Sequence, residues 1–183
     1  LESQIRNSLD LDTILETTVL ELRDLLKIDS CAIAWYRPEA NLPVWEVDKE
    51  VKTAETPSII GAYTTKEIGS LARRILKGKI VRYDDVAAIS LPQLRDSLLE
   101  RGYKSILGLP IQTIGGDLGT VVCINFSEVR HWSDGEVELL TSIREQLAIA
   151  INQAELYEQA QESARIATAK TQELKASITQ LRH

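Results

Sequence analysis

Few residues in this chain have the types and spacing to do chemistry. Cys31 and Cys123 could form a redox pair or hold a cofactor through a thioether, His131 and His183 could serve as bases or ligands, and Asp84-Asp85 could meet a cation. Each has a plainer reading. Both cysteines lie in short apolar runs of strand character, where a free Cys is normally a small, inert hydrophobe rather than an accessible thiolate. His131 precedes Trp132 in a loop, and no Ser or Cys nucleophile is placed by spacing to pair with it. His183 is the last residue of the sequence. Two adjacent carboxylates make a poor metal site without further ligands and read instead as caps. Gly115-Gly116-Asp117 has no Lys-Ser/Thr after it, so it is a tight turn rather than a phosphate loop. No catalytic residue and no metal centre is expected.

The elements that would position these residues belong to an ordinary globular composition. The chain has 183 residues, of which 44% are hydrophobic and 26% charged, with a net charge of −6. An acidic balance argues against nucleic acid and against an anionic membrane surface as partners, since both select a basic face. No run approaches the roughly 18 apolar residues of a spanning helix, so no membrane segment is expected. Two cysteines cannot build a disulfide framework, which suits a reduced, cytoplasmic setting. Leu1 opens the sequence and there is no Met, so the chain is expected to be part of a longer protein.

Apolar residues at Leu11, Ile14, Leu15, Val19, Leu22, Leu25 and Leu26 predict a helix over 9–27, with Asp10 or Asp12 as its cap. Residues 30–36 form a buried-strand run, and 44–52 alternate with period two: Trp45, Val47, Lys49 and Val51 against Val44, Glu46, Asp48 and Glu50. Thr53 to Thr64 reads as polar and irregular. Helical spacing returns over 65–77, stopped by Gly78. A short strand over 79–86, a small helix over 91–101 and two strands over 105–114 and 118–126 follow. This order predicts an α+β fold with a mostly antiparallel sheet.

The C-terminal segment carries the clearest signal. Ser133-Asp-Gly-Glu136 is a capping box, and no Gly or Pro follows Gly135. That allows about 70 Å of uninterrupted helix, longer than a small domain is wide. Leu140, Ile143, Leu147, Ala150, Ala154 and Tyr157, then Ala160, Ala164, Ala167, Thr171, Leu174, Ile178 and Leu181, step by threes and fours. They predict a coiled-coil seam with a stammer between Tyr157 and Ala160, and hence a second helix to cover it.

Taken together, several strings resemble the GAF domain of bacterial sensor proteins, above all of cyanobacterial sensor histidine kinases. They are Leu9-Asp-Leu-Asp-Thr-Ile-Leu15, Arg82-Tyr-Asp-Asp-Val86, Ser105-Ile-Leu-Gly-Leu-Pro-Ile111 with Gly119, Arg130-His-Trp-Ser-Asp-Gly-Glu-Val-Glu-Leu-Leu140, and Gln146 to Tyr157. The resemblance implies a GAF sensory domain over 1–157, with a central antiparallel sheet flanked by helices and a small-molecule cavity on one face. It implies a coiled-coil linker over 158–183, and a homodimer joined through the terminal helices. The output would be a histidine kinase domain further along the same chain, with ATP-dependent phosphotransfer to a response regulator. This segment would itself be a non-catalytic regulator.

The same resemblance places cavity contacts at Tyr63, Tyr83, Tyr103 and Asn125. Bilin-binding relatives carry a Cys, usually followed by a His, near the small helix; residues 91–101 contain neither, and Ile124 stands where such relatives often place a contacting His. Covalent bilin is therefore not expected. Relatives that bind cyclic nucleotides carry an Asn-Lys pair, then a Phe and an acidic pair. Here Asn125-Phe126 is followed by Trp132, Asp134 and Glu136, with no Lys beside the Asn. Methionine sulfoxide reduction by a stand-alone relative would need accessible paired thiols. No cofactor is evident, an unidentified small ligand remains open, and a ligand-free dimerisation scaffold is the alternative.

Overall fold

The computed structural model describes residues 11–39 and 41–182. Helix α1 (Leu11–Leu26) leads into β1 (Ser30–Arg37) and β2 (Val44–Lys52), followed by β3 (Gly61–Thr64), α2 (Thr65–Ile68), α3 (Ser70–Leu76) and β4 (Val81–Tyr83). A 3₁₀ turn (Val86–Ala88), α4 (Pro92–Glu100), β5 (Ser105–Gln112), β6 (Leu118–Asn125) and α5 (Asp134–Leu181) complete the chain. The six strands form one sheet in the order β3-β2-β1-β6-β5-β4, with every neighbouring pair antiparallel. The expected α+β architecture is present.

Central strands need apolar residues of both parities because both faces of the sheet are covered. Along β1, Cys31, Ile33 and Trp35 join a core with α1 and the first half of α5, while Ala32 and Ala34 join a second core under α3 and α4. Gly119 lies opposite Trp35 in the register, and a Cβ there would stand 2.7 Å from the indole, so only glycine permits this close approach.

The even alternation of β2 conceals a bulge. Ile33 pairs with Lys49 but Ala34 pairs with Val47, leaving Asp48 as the extra residue. An extra residue inverts the facing of everything beyond it. Trp45 and Val47 therefore enter the second core, whereas Val51 packs on the first and Lys49 reaches across α1 to Asp12 and Glu16 at 3.3 and 3.5 Å.

Other local expectations shift for local reasons. The segment over 53–64 contains the edge strand β3, too short and too polar to show a period. The helix expected over 65–77 is two helices, broken at Gly69, whose φ of +53° a side chain would resist. Thr64 caps α2 through a capping box with Glu67. Leu25 is exposed, although the spacing grouped it with the buried stripe of α1. Asp12 lies in the first turn of α1; Leu9, Asp10 and His183 lie outside the described residues.

Helix α5 spans 48 residues and opens on the expected capping box of Ser133 and Glu136. Leu140, Ile143, Leu147, Ala150 and Ala154 are buried in the first core, against the domain's own sheet. That corrects their assignment to a seam between chains: a row already covered by β1, β5 and α1 has no surface left for a partner. Tyr157, Leu174, Ile178 and Leu181 are exposed, Leu181 at 88%. The apparent stammer thus marks where the apolar row passes from the core-facing side of the helix to a solvent-facing side.

The start of α5 is held by two arginines. Arg130 donates to both carboxylate oxygens of Glu136 and, at 2.9 Å, to the carbonyl of Leu26 at the end of α1. Its guanidinium lies 4.6 Å from the Trp132 ring centre, and its backbone N–H donates to Ser105 Oγ at 2.7 Å. Arg82 adds a bond to Asp134 at 2.8 Å and another to the Trp132 carbonyl. The Arg130 hydrogen bonds hold the Glu136 carboxyl below its ordinary pKa, against a smaller opposing effect of burial.

A carboxylate with a lowered folded-state pKa adds stability above its unfolded pKa, and that stability is lost as pH falls through the folded value. Glu136→Gln should therefore lower stability at pH 7 by about 1–3 kcal/mol. The gap to the native protein should close as pH drops below about 4.3. Urea unfolding of both proteins across that range measures it, and a gap independent of pH would contradict the role given to the charge.

Candidate functional site

On the face of the sheet opposite α1 and α5, the second core borders a partly open cavity of about 100 Å³. Most of its wall comes from four parts of the fold, with Tyr63 of β3 and Val81 of β4 among the rest. Trp45 and Val47 come from the stretch of β2 before the bulge, and Leu71, Ala72 and Ile75 come from α3 after the Gly69 break. Leu98, Arg101 and Tyr103 come from α4 and the turn after it. Thr120, Val122 and Ile124 line the sheet side together with Ile106 and Gly108. The lining is almost wholly hydrocarbon and includes neither Cys nor His. Such a surface can enclose an apolar molecule and orient it with a few polar groups.

Two of the four expected contacts lie in this wall. Tyr63 donates its hydroxyl to the Ile59 carbonyl at 2.6 Å, and the Arg101 guanidinium sits 5.1 Å from the centre of its ring. Burial raises its hydroxyl pKa. Tyr103 is buried, packs edge-on against Phe126 at 5.2 Å, and is pushed by burial up to about 12.

The other two are elsewhere. Tyr83 lies outside the lining and accepts from Arg74 Nη1 at 3.5 Å. Asn125 is buried but structural: its Oδ1 accepts from the Asp29 amide at 3.1 Å and its Nδ2 donates to the Glu128 carbonyl at 2.9 Å. Asp29 in turn accepts from the amides of Phe126 and Ser127, so the pair locks the end of β6 to the start of β1. Burial would raise the Asp29 carboxyl, yet those two amides together hold it below its ordinary value.

The remaining chemical residues have structural partners. Cys31 and Cys123 face each other across β1 and β6 with their sulfurs 4.0 Å apart, both buried in the first core, on the far side of the sheet from the cavity. The hydrogen bond between the thiols, reinforced by burial, raises the Cys31 pKa well above its ordinary value. Asp85 caps the 3₁₀ turn through the Ala87 amide, and Asp84 accepts from the Trp132 amide and lies 3.4 Å from His131 Nδ1. Asp134 and Glu136 are engaged by Arg82 and Arg130. Among the described residues no three His, Cys, Asp or Glu side chains gather as metal ligands.

Sequence reasoning missed Trp45, Arg101 and the α3 wall. The first was legible in part, because the alternation in 44–52 sets Trp45 and Val47 on one face; no local pattern signals the others.

The GAF domain model matches residues 10–151. Circadian input-output histidine kinase CikA of Synechococcus elongatus is 30% identical over 88% of this chain and 24% of its own length. That of Thermosynechococcus vestitus is 27% identical over 87% of this chain and 23% of its own length. The chain therefore spans about a quarter of these relatives. Among solved structures, the phycocyanobilin-bound GAF domain from a cyanobacterial phytochrome superposes with a TM-score of 0.72 at 29% identity, over 85% of this chain and 91% of that one.

The buried Tyr103 hydroxyl gives a direct test of the wall. In an ultraviolet titration of the folded protein, one tyrosine should resist ionisation until about pH 12, and Tyr103→Phe should remove that step. Because the unfolded chain releases this proton near pH 10, the stability Tyr103 supplies is present below that value and lost as pH rises toward its folded pKa. The native protein should thus lose more stability between pH 9 and 11 than Tyr103→Phe does; equal losses would mean that Tyr103 is solvated.

Proposed function

This chain belongs to the GAF domain family, and on that premise we propose that it is the regulatory sensory domain of a two-component sensor histidine kinase. The observation that carries the relay is a pair of consecutive residues in β4. Val81 lines the cavity, and Arg82 holds Asp134 and the Trp132 carbonyl at the start of α5. A change that displaces Val81 therefore pulls on the helix that leaves the domain. The domain itself catalyses nothing; a kinase further along the chain would perform ATP-dependent phosphotransfer to a response regulator in the cytoplasm. An occupant biases that output only by the difference in its affinity for the two states.

The second half of α5 supports a homodimer. Ile149 and Leu156 are exposed, and at about 100° per residue they share a side of the helix with Leu174, Ile178 and Leu181. A helix that presents such a row beyond its own domain is stabilised by an identical neighbour. On this reading residues 1–157 are the sensory domain, 158–183 the coiled-coil linker, and Tyr157, Leu174, Ile178 and Leu181 lie on or beside the seam. A bilin photoreceptor is the second reading, favoured by the phycocyanobilin-bound relative; a lining with no Cys for a thioether weighs against covalent attachment.

Sedimentation equilibrium at micromolar concentration should give twice the chain mass, and Leu174→Lys with Ile178→Lys should give monomers of unchanged helix content. A native monomer would end the dimer reading. In the full-length protein, Arg82→Met and the insertion of one residue after Ala160, which rotates the distal row by about 100°, should each shift autophosphorylation several-fold. Unchanged phosphorylation in both, with melting curves showing folded protein, would remove the relay.

A further inference from the structure

The polar groups of the cavity are unbalanced. Trp45 is 3% exposed and lines the cavity, and its indole N–H meets no acceptor in the protein. A buried donor left unpaired carries its full desolvation cost, so it is a persistent invitation to an oxygen. Trp45 and Tyr63 are directly opposite in the β2–β3 register, and Arg101 lies over the Tyr63 ring. Two donors, an indole N–H and a guanidinium, therefore flank one tyrosine. Among the described residues no carboxylate lies within ion-pair distance of Arg101. Tyr63 donates to Ile59 and Thr120 to the Val121 carbonyl at 3.2 Å, and no hydroxyl of the wall is within hydrogen-bond reach of the Trp45 indole N–H.

Size restricts the occupant further. A dry cavity of about 150 Å³ holds a benzene ring; this one measures only about 100 Å³ but is open on one side, so a single ring is the upper limit and its polar end must lie toward the opening. An open-chain tetrapyrrole has four rings and would need the wall rebuilt. Gly108 bears on this limit, since a Cβ there would stand 3.4 Å from Ile75 of α3 and 3.5 Å from Thr120 on the neighbouring strand.

From this we propose that the cavity binds a small apolar carboxylate of about one ring, its hydrocarbon against Leu71, Ile75 and Ile124 and its oxygens accepting from Trp45 and Arg101. The carboxylate stays at the half-buried arginine, where a charge-assisted bond offsets its desolvation. The apolar body supplies most of the affinity. This ligand class rests on the reading of the cavity as the sensory site.

Benzoate and toluene are the probes, and the chain's three tryptophans are the reporters. In a ¹⁵N-resolved spectrum, saturating benzoate should move the indole N–H signal that Trp45→Phe deletes, and should raise the melting temperature. Arg101→Gln should weaken benzoate binding about tenfold, equivalent to about 1.4 kcal/mol, while leaving toluene binding unchanged. Benzoate that binds no better than toluene, a Trp45 signal that stays still, or stoichiometric uptake of biliverdin would each overturn the proposal. If benzoate fails while Arg82→Met still alters phosphorylation in the full-length protein, the ligand class is wrong and the relay stands. If benzoate binds as expected but neither Arg82→Met nor the insertion after Ala160 changes phosphorylation, the ligand class stands and the sensory reading falls.

Discussion

The guanidinium of Arg130 joins parts of the chain that no backbone hydrogen bond connects. It holds the last carbonyl of α1, stacks on Trp132, and grips Glu136, the residue that closes the capping box of α5. Were that contact absent, α5 would still form, because its propensity and cap are local. It would lose one of the two arginine clamps, the other being Arg82, that set its point of departure from the sheet. Every longer-range property of the molecule depends on that point: the burial of Leu140 through Ala154, the direction of the distal half, and the side on which Leu174 and Ile178 emerge.

The bulge in β2 makes an equally consequential division. Were Asp48 paired in regular register instead of bulged out, Lys49 and Val51 would share a face with Trp45 and Val47 and thrust a lysine toward the cavity. With it, the strand contributes an aromatic wall to one face and a salt-bridged lysine to the helices on the other. The cavity exists because a strand that reads as uniformly amphipathic serves two layers in succession. Arg82 and Val81 repeat the principle in miniature, as neighbouring residues of a strand must face opposite ways. In a sheet covered on both sides, that ordinary geometry places one short strand in contact with both a pocket and a helix.

Most of the architecture was legible because it rests on local signals. The capping box, the absence of Gly and Pro after Gly135 and the glycine turn between β5 and β6 each specify an element with little help from tertiary context. What escaped was decided by tertiary packing. β3 is four residues long and pairs at an edge, so its sequence carries no period to detect. The break at Gly69 looks like a tolerated glycine within a helical pattern until α3 is seen turning toward the cavity. Leu140 through Ala154 and the distal leucines form one continuous pattern in sequence but two rows in space, because spacing records that a face is apolar and not what covers it. For the same reason Tyr63 and Tyr103 were found in the cavity wall while Tyr83 and Asn125 were not. All four lie on suitable elements, and only side-chain direction separates them.

A cavity this small limits what occupancy alone can do. Taking a two-state element from one part in a hundred to its reverse requires about 5.5 kcal/mol of differential affinity. A one-ring molecule has few atoms with which to distinguish two conformations. Pairing offers a way past that limit. If two copies share one coiled rod, both cavities act on a single equilibrium, and each ligand need supply only half the difference. The long exposed half of α5 is then more than a spacer: it is the element through which two weak preferences add.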